Sequence, residues 1–233
     1  MGTICSNYSQ EVPTMQRLQY DLSQILSLNP IFIWFVGLPG SGRKTHVNSL
    51  CERMALTEIP VVALLVKESK KDTDRGKILR DVLKGRMKRA PDELVVDLIK
   101  EALLQSTFSR NNGYIINNFP RSKKQAKLFV KEIKDVEAII YLFADMSTLA
   151  TRLVSDCKSD EPPDVDIIKK QISDSAKEIK EAISGMKVKV EKIFTEATVN
   201  SVKLQIESAI QERTNLKPMQ SLTEVEQRTL SYM

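Results

Sequence analysis

The stretch Gly37-Leu38-Pro39-Gly40-Ser41-Gly42-Arg43-Lys44-Thr45 decides the fold. It follows six consecutive apolar residues, 31–36, and precedes a segment, 46–54, that has the composition of a helix. The chain has only eight glycines, and those at 37, 40 and 42 lie within six residues of one another. Glycine concentrated in this way indicates backbone that approaches a ligand closely or takes a positive φ. A buried strand, a glycine turn and a helix, in this order, are the context of a phosphate-binding loop.

The loop departs from the strict pattern G-x-x-x-x-G-K-[ST] at its lysine. Gly37 and Gly42 agree with the pattern, whereas Arg43 stands in place of the lysine. A lysine ammonium is a compact point charge and an arginine guanidinium is a planar fork, so the two are not interchangeable. Lys44 is a poor substitute, because the next helical position points about 100° away. We favour descent from a phosphate-binding loop; the alternative is an ordinary glycine-rich turn.

Around this loop, apolar stretches alternate with helical patterns. This alternation predicts an α/β protein of three layers, with a parallel sheet of about five strands covered by helices on both faces. The strands are expected at 31–36, 113–119, 138–144 and 188–194, with a further apolar stretch at 59–66. Helices are expected at 46–54, on both sides of 84–91 within 72–105, at 121–133, from 148, at 166–184 and at 201–212. The long helix at 166–184 carries an isoleucine stripe that indicates core packing, or alternatively a surface for a partner.

Composition excludes several classes of protein. The chain has 233 residues and a net charge of +5 with its basic residues spread along it, which does not suggest a nucleic-acid binder. A membrane-spanning helix needs about 18 apolar residues, and no apolar run here is longer than seven. The start lacks the pattern of a secretory signal, and three distant cysteines form neither a disulfide framework nor a zinc site. We expect a cytoplasmic monomer without a metal site of its own.

Both ends differ from the central part of the chain. Residues 1–30 form a leader, in which apolar positions after Pro13 predict a short amphipathic helix ending before Pro30. Its first residues match M-G-x-x-x-[ST], so Gly2 is a candidate for myristoylation and Cys5 for palmitoylation. Two acyl chains would tether the protein at a membrane, whereas the alternative is an unmodified start. The polar tail, 213–233, is expected to be mobile.

Several motifs in order resemble those of the adenylate kinases and related short-lid nucleoside monophosphate kinases. The loop resembles their G-x-P-G-S-G-K-G-T, and 75–77 (Arg-Gly-Lys) resembles an R-G-K that opens a helix. Residues 113–121, Gly-Tyr-Ile-Ile-Asn-Asn-Phe-Pro-Arg, look like G-F-x-x-D-G-[FY]-P-R, and Gln125 matches a glutamine four residues further on. The resemblance covers about 31–212. It implies a core sheet, a monophosphate-binding segment near 60–91 and a short lid near 156–164.

The resemblance also implies roles for individual residues. The loop would hold ATP, with Mg²⁺ arriving as the partner of the bound nucleotide, and Arg43 would take the place of the catalytic lysine. Arg121 would grip the α-phosphate of AMP or another monophosphate, and Gln125 would hydrogen-bond its base; the alternative is that both are solvated residues at a helix terminus. The residues assigned to the triphosphate are Gly37, Pro39, Gly40, Ser41, Gly42, Arg43, Lys44 and Thr45.

Departures from the family pattern bear on catalysis. Phosphoryl transfer depends on positioning and on cations that neutralise the moving group. The monophosphate-segment arginine aligns with Val66, and two lid arginines align with Asp156 and Gln171. A magnesium-binding aspartate aligns with Asn117, which removes a negative charge.

Three functions follow from these observations. The chain is either a nucleoside monophosphate kinase with strongly impaired catalysis or an inactive pseudokinase that binds nucleotides or partners. The inactive form is the interpretation we prefer over full activity. A different loop-containing ATPase or GTPase is the third alternative, with Asp145 as its only candidate magnesium ligand.

Overall fold

The computed structural model describes residues 17–106, 112–157 and 163–219. Its centre is one five-stranded sheet in the order β2-β3-β1-β4-β5, in which each neighbouring pair is parallel. The strands are β1 (Ile31–Gly37), β2 (Leu56–Pro60), β3 (Gly113–Asn117), β4 (Ala138–Phe143) and β5 (Val190–Phe194). The predicted α/β class and parallel sheet are confirmed.

Helices connect the strands and cover both faces of the sheet. They are α1 (Ser23–Ser27), α2 (Arg43–Met54), α3 (Val61–Ser69), α4 (Asp74–Leu83), α5 (Asp92–Gln105), α6 (Lys123–Glu132), α7 (Met146–Ser155), α8 (Val165–Ile183) and α9 (Val199–Thr214). A helix after each strand carries the chain back to the end of the sheet at which that strand began. The next strand therefore runs in the same direction, so the strands are parallel.

Side chains of β1 explain the two cores. Successive residues of a strand point to opposite faces, so Phe32 and Trp34 enter one core and Ile33 and Phe35 the other. The first core includes α5, α6 and α8, and the second includes α2 and α9. A strand buried on both faces reads as a continuous apolar run, which is why 31–36 shows no alternation.

Two predicted elements differ from the structure by more than a few residues at their ends. The apolar stretch 59–66 is not one element, because β2 ends at Pro60 and α3 begins at Val61. Proline has no N–H to continue a strand ladder, so the chain changes conformation there. The helix predicted from Pro13 was wrong over 17–22: of the described residues before Pro30, only Ser23–Ser27 are helical, and Leu22 is buried in the core ahead of them.

The isoleucine stripe of α8 packs into the core. Ile168, Ile172 and Ile179 are buried, which agrees with the core-packing interpretation, while Val165 at the start of the helix is exposed. No helix in the described ranges is both long and apolar enough to cross a membrane. Gly2 and Cys5, the centre of the expected lid and the end of the tail lie outside the described residues.

Candidate nucleotide-binding site

The glycine loop lies at the carboxyl end of β1, where the chain turns into α2. Gly40 and Gly42 have φ values of 77° and 81°, which favour glycine. A Cβ on Gly40 would also lie 2.9 Å from the carbonyl oxygen of Leu149, and one on Gly37 would lie 2.6 Å from Ser41 Oγ. The loop therefore packs so closely against neighbouring atoms that larger residues at these two glycines would displace them.

Beside the loop is a cleft of about 1150 Å³, which we call the first cleft. Lys44 and Thr45, from the first turn of α2, line it and are exposed. No side chain caps this end of α2, and its first turn carries no acidic residue. The free N–H groups and the positive end of the helix dipole consequently face a space that suits an anion.

Arg43 lines the first cleft without a carboxylate partner among the described residues. Its Nη1 donates to Asn117 Oδ1 across 3.3 Å, and Asn117 Nδ2 donates to Glu58 Oε1 across 2.7 Å. Burial, followed by the nearby charge of Arg121, lowers the pKa of Arg43 to about 10. Its Nε is buried and has no hydrogen-bond partner. Arg43 is thus a half-buried cation with a buried, unpaired Nε, and no carboxylate of the described residues balances its charge directly.

Arg121 lies at the start of α6 and points toward α8. Its Nη2 donates to Glu178 Oε2 across 3.0 Å and contacts Ser175 Oγ at 3.5 Å. Its backbone N–H donates to Oε1 of the buried Gln125 across 2.8 Å. Ser122 caps the helix by accepting from the backbone N–H of Gln125. The two predicted monophosphate residues are therefore adjacent, and one of them is already paired with a carboxylate.

A second cleft of about 530 Å³ adjoins the first. Arg121, Gln125 and Glu178 line it, and Val62, Val66 and Asn118 line both clefts. Exposed Val66 occupies the position that the family resemblance assigns to a phosphate-binding arginine, and valine cannot bind phosphate by charge.

The other departures also face the clefts. Asp156, the residue after α7, lines the first cleft, and Gln171 of α8 lines the second. Asp156 adds negative charge beside the space where phosphates would lie.

His46 is buried, and burial together with the charge of Lys203 lowers its pKa, which agrees with a structural rather than a catalytic role.

Sequence reasoning missed three polar residues of the clefts: Glu58, Arg152 and Glu178. Arg152 donates to the carbonyl oxygens of Gly40 and Thr195 across 3.3 Å and 2.7 Å and lines the first cleft. Its place at the loop depends on a contact across 112 residues of chain, so no local pattern signals it. For Glu58, the one signal in the sequence was that a charged residue stands within the segment that forms β2.

The donor atoms of the first cleft fit a magnesium ion that arrives with a nucleotide. Mg²⁺ is commonly held by one or two carboxylates together with substrate phosphates, and Glu58 is a carboxylate that lines this cleft, as Thr45 is a hydroxyl. No group of three or more acidic, histidine or cysteine residues able to hold a metal occurs within the part of the chain that the structure describes.

Comparison with known proteins agrees with this geometry. A family model for adenylate kinase matches residues 35–207. Adenylate kinase isoenzyme 1 of Rattus norvegicus is 29% identical over 179 residues, 75% of this chain and 91% of the rat protein. The Caenorhabditis elegans isoenzyme 1 is 28% identical over 162 residues, 69% of this chain and 77% of that protein.

Adenylate kinase isoenzyme 5 of Homo sapiens is 31% identical over 132 residues, 57% of this chain, and this match spans only 23% of the human protein. The match of the family model extends over most of the chain and includes the glycine loop from its preceding strand onward, together with Arg121 and α8. The chain therefore belongs to the adenylate kinase family.

Proposed function

We propose that this protein binds ATP at the glycine loop and transfers its terminal phosphoryl group to a nucleoside monophosphate at a strongly reduced rate. The observation that carries the proposal is the unbalanced charge of Arg43, a half-buried guanidinium at the first turn of α2 whose Nε is buried and unpaired. A buried charge is costly unless it is paired, so a bound phosphate would supply the missing partner.

Several groups converge on that phosphate. The first turn of α2, whose N–H groups no side chain caps, and Arg43 both line the first cleft. Phosphate oxygens there would accept charge-assisted hydrogen bonds from Arg43 and would offset the repulsion that the nearby charge of Arg121 exerts on it. Glu58 and Thr45 would hold the Mg²⁺ that arrives with the nucleotide, and the ion would neutralise part of the phosphate charge.

Reduced transfer follows from the side chains that line the path of the phosphoryl group. An arginine that stabilises this group contributes roughly 10³–10⁵ in rate. Val66 offers no charge, Asp156 offers the wrong charge, and Arg121 is paired with Glu178. The losses need not multiply, since groups that act together are not additive.

The second candidate is a pseudokinase that binds nucleotide without turnover and acts through interaction. It is favoured by Asp156, because a carboxylate in the first cleft opposes the transition state more than it opposes a nucleotide that is merely bound.

Calorimetric titration with ATP and AMP, with and without Mg²⁺, tests binding, and a coupled assay on the same preparation measures turnover. We expect ATP to bind and Arg43→Met to weaken it about tenfold or more, whereas Lys44→Met, a matched change at the next position, has a smaller effect. Turnover near that of an ordinary kinase would refute impaired catalysis. ATP binding without turnover would select the pseudokinase, and absence of ATP binding would refute both candidates.

We also propose acylation of the leader at Gly2, with Cys5 as a second acyl site. The support is the sequence pattern alone. Mass spectrometry of the protein produced with a myristoyltransferase would detect the acyl chain, and Gly2→Ala should abolish both the modification and binding to lipid vesicles. An unmodified N-terminus under these conditions would contradict the proposal.

A further inference from the structure

The second cleft combines apolar walls with one polar end. Val61, Leu79 and Val95 are buried residues of its walls, and Leu65 is half-buried beside them. Arg121 and Gln125 lie at the polar end, together with two carboxylates of α8, Asp174 and Glu178. Apolar walls of this kind suit a flat ring system. The charge at the polar end then decides whether a ligand with such a ring can also carry a charged group.

Arg121 is the cation that the cleft holds at its polar end, and it is already neutralised. Its Nη2 donates to Glu178 across 3.0 Å, and the same nitrogen lies 3.5 Å from Ser175 Oγ. Lys88 and Arg89 also line the cleft, but both are exposed residues of the linker between α4 and α5, where water screens their charges. Because Glu178 occupies Nη2 of Arg121, a phosphate at Arg121 would have to share the guanidinium with this carboxylate.

A phosphate site usually favours an anion over an uncharged group, and the carboxylate beside Arg121 opposes that preference here. Bringing a phosphate against a carboxylate costs free energy, because like charges repel and the charge of Arg121 would have to be shared between the two. A ligand without a phosphate buries the same rings against the same walls and leaves the Arg121–Glu178 pair intact.

We infer that the second cleft binds an uncharged nucleoside in preference to the corresponding nucleoside monophosphate, and that Glu178 determines this preference. The inference rests on the proposed function only in taking the second cleft as a nucleoside site; it does not require ATP to bind at the glycine loop. Glu178 acts here as a specificity-determining residue, since it selects the ligand through the charge it places on Arg121.

The test is a calorimetric comparison of adenosine, guanosine, cytidine and uridine with their 5′-monophosphates on the full chain. For the base that binds best, the nucleoside should have the lower Kd. Glu178→Gln should shift the ratio of the two Kd values by about fivefold or more toward the monophosphate, because it frees Arg121 without changing the size of the side chain. Glu181→Gln is the matched control: it removes the same charge from an exposed position of the same helix, outside both clefts.

Three results would overturn the inference: a wild-type preference for the monophosphate, equal ratios in the Glu178 and Glu181 variants, or no binding of any nucleoside. Glu178 lines the second cleft and not the first, so a change of the ratio in its variant alone locates the ligand. A separate ATP titration distinguishes the two proposals. Loss of ATP binding with an intact nucleoside preference would refute the proposed function alone. ATP binding without the nucleoside preference would refute this inference alone.

Discussion

Arg43 and Asn117 are joined by a hydrogen bond from Nη1 to Oδ1 across 3.3 Å, although 74 residues separate them in the chain. The acceptor is a neutral amide, and the amide in turn donates to Glu58. The arginine is thereby oriented while its charge stays available. A carboxylate at position 117 would orient the same guanidinium but would also neutralise it.

The first prediction concerns Asn117→Asp. The new carboxylate should pair with Arg43 and lower the metal-free affinity for ATP by about tenfold, with a smaller loss when Mg²⁺ is present, since a carboxylate suits that ion. Calorimetry with and without Mg²⁺ measures both. Asn118→Asp adds the same charge one residue further along in the same cleft, so equal losses in the two variants would mean that only the overall charge matters.

The second prediction concerns Asp156. We expect the double variant Arg43→Lys, Asp156→Arg to raise turnover by about tenfold or more, because it restores a compact cation in the loop and replaces the opposing carboxylate. A coupled assay with saturating ATP and AMP measures the change. Ser155→Arg in the Arg43→Lys background is the control, as it adds a cation at the neighbouring residue of the same cleft. Turnover that stays at the wild-type level would show that other losses limit the reaction.

The third prediction concerns the ion pairs of Arg17. This arginine donates to the fully buried carboxylate of Asp97 and to Glu132, and so connects the leader to α5 and α6. Arg17→Met should reduce the free energy of unfolding by about 1–3 kcal/mol, because Asp97 keeps only Lys100 and Arg75 at 3.7 and 3.9 Å.

Urea unfolding of this variant can be followed by the fluorescence of the single tryptophan, Trp34, which is fully buried between Phe119 and Phe129. Lys77→Met, which breaks the exposed pair with Asp74, should change stability by less than about 0.5 kcal/mol. Equal losses in the two variants would contradict a structural role for Arg17.

The fourth prediction concerns the pH dependence of stability. The hydrogen bond from Arg17, opposed by burial and assisted by Lys100, lowers the pKa of Glu132 from 4.5 to about 2. The folded state therefore favours the carboxylate, and the resulting stabilisation is complete above pH 4.5 and is lost as the pH falls toward 2. Unfolding curves measured across this interval should show a shallower loss in Arg17→Met than in the wild type. Parallel pH profiles would rule out Arg17 as the cause.

The fifth prediction concerns Gly76 in α4. A Cβ at this residue would lie 2.1 Å from the carbonyl oxygen of Lys71, a backbone atom that cannot rotate away. Gly76→Ala should therefore destabilise the protein by more than 1 kcal/mol despite the better helix propensity of alanine. Gly85→Ala is the comparison: it meets no atom within 4 Å and carries only the strain of φ +71°, about 1 kcal/mol. A neutral or stabilising result at Gly76 would contradict the close packing against Lys71.

Local patterns were enough to predict four of the five strands, most of the helices and the glycine loop, because each depends on residues that are neighbours in the chain. The apolar run at 31–36 predicted a strand buried on both faces, and β1 is such a strand. The helix expected from Pro13 was wrong over 17–22, since the buried side chain of Leu22 and the ion pairs of Arg17 belong to an irregular segment packed on the core. Periodicity alone cannot distinguish that packing from a helix.

The sequence by itself determined the order of the elements, the glycine loop at the end of β1 and the family to which the chain belongs. Only the tertiary structure decided the charge of the two clefts, because the partners of the key arginines come from distant segments. Asn117 lies 74 residues from Arg43, and Glu178 lies 57 residues from Arg121. Whether an arginine is free or neutralised depends on distances of a few ångströms between such segments, and these distances exist only once the sheet and its helices are assembled.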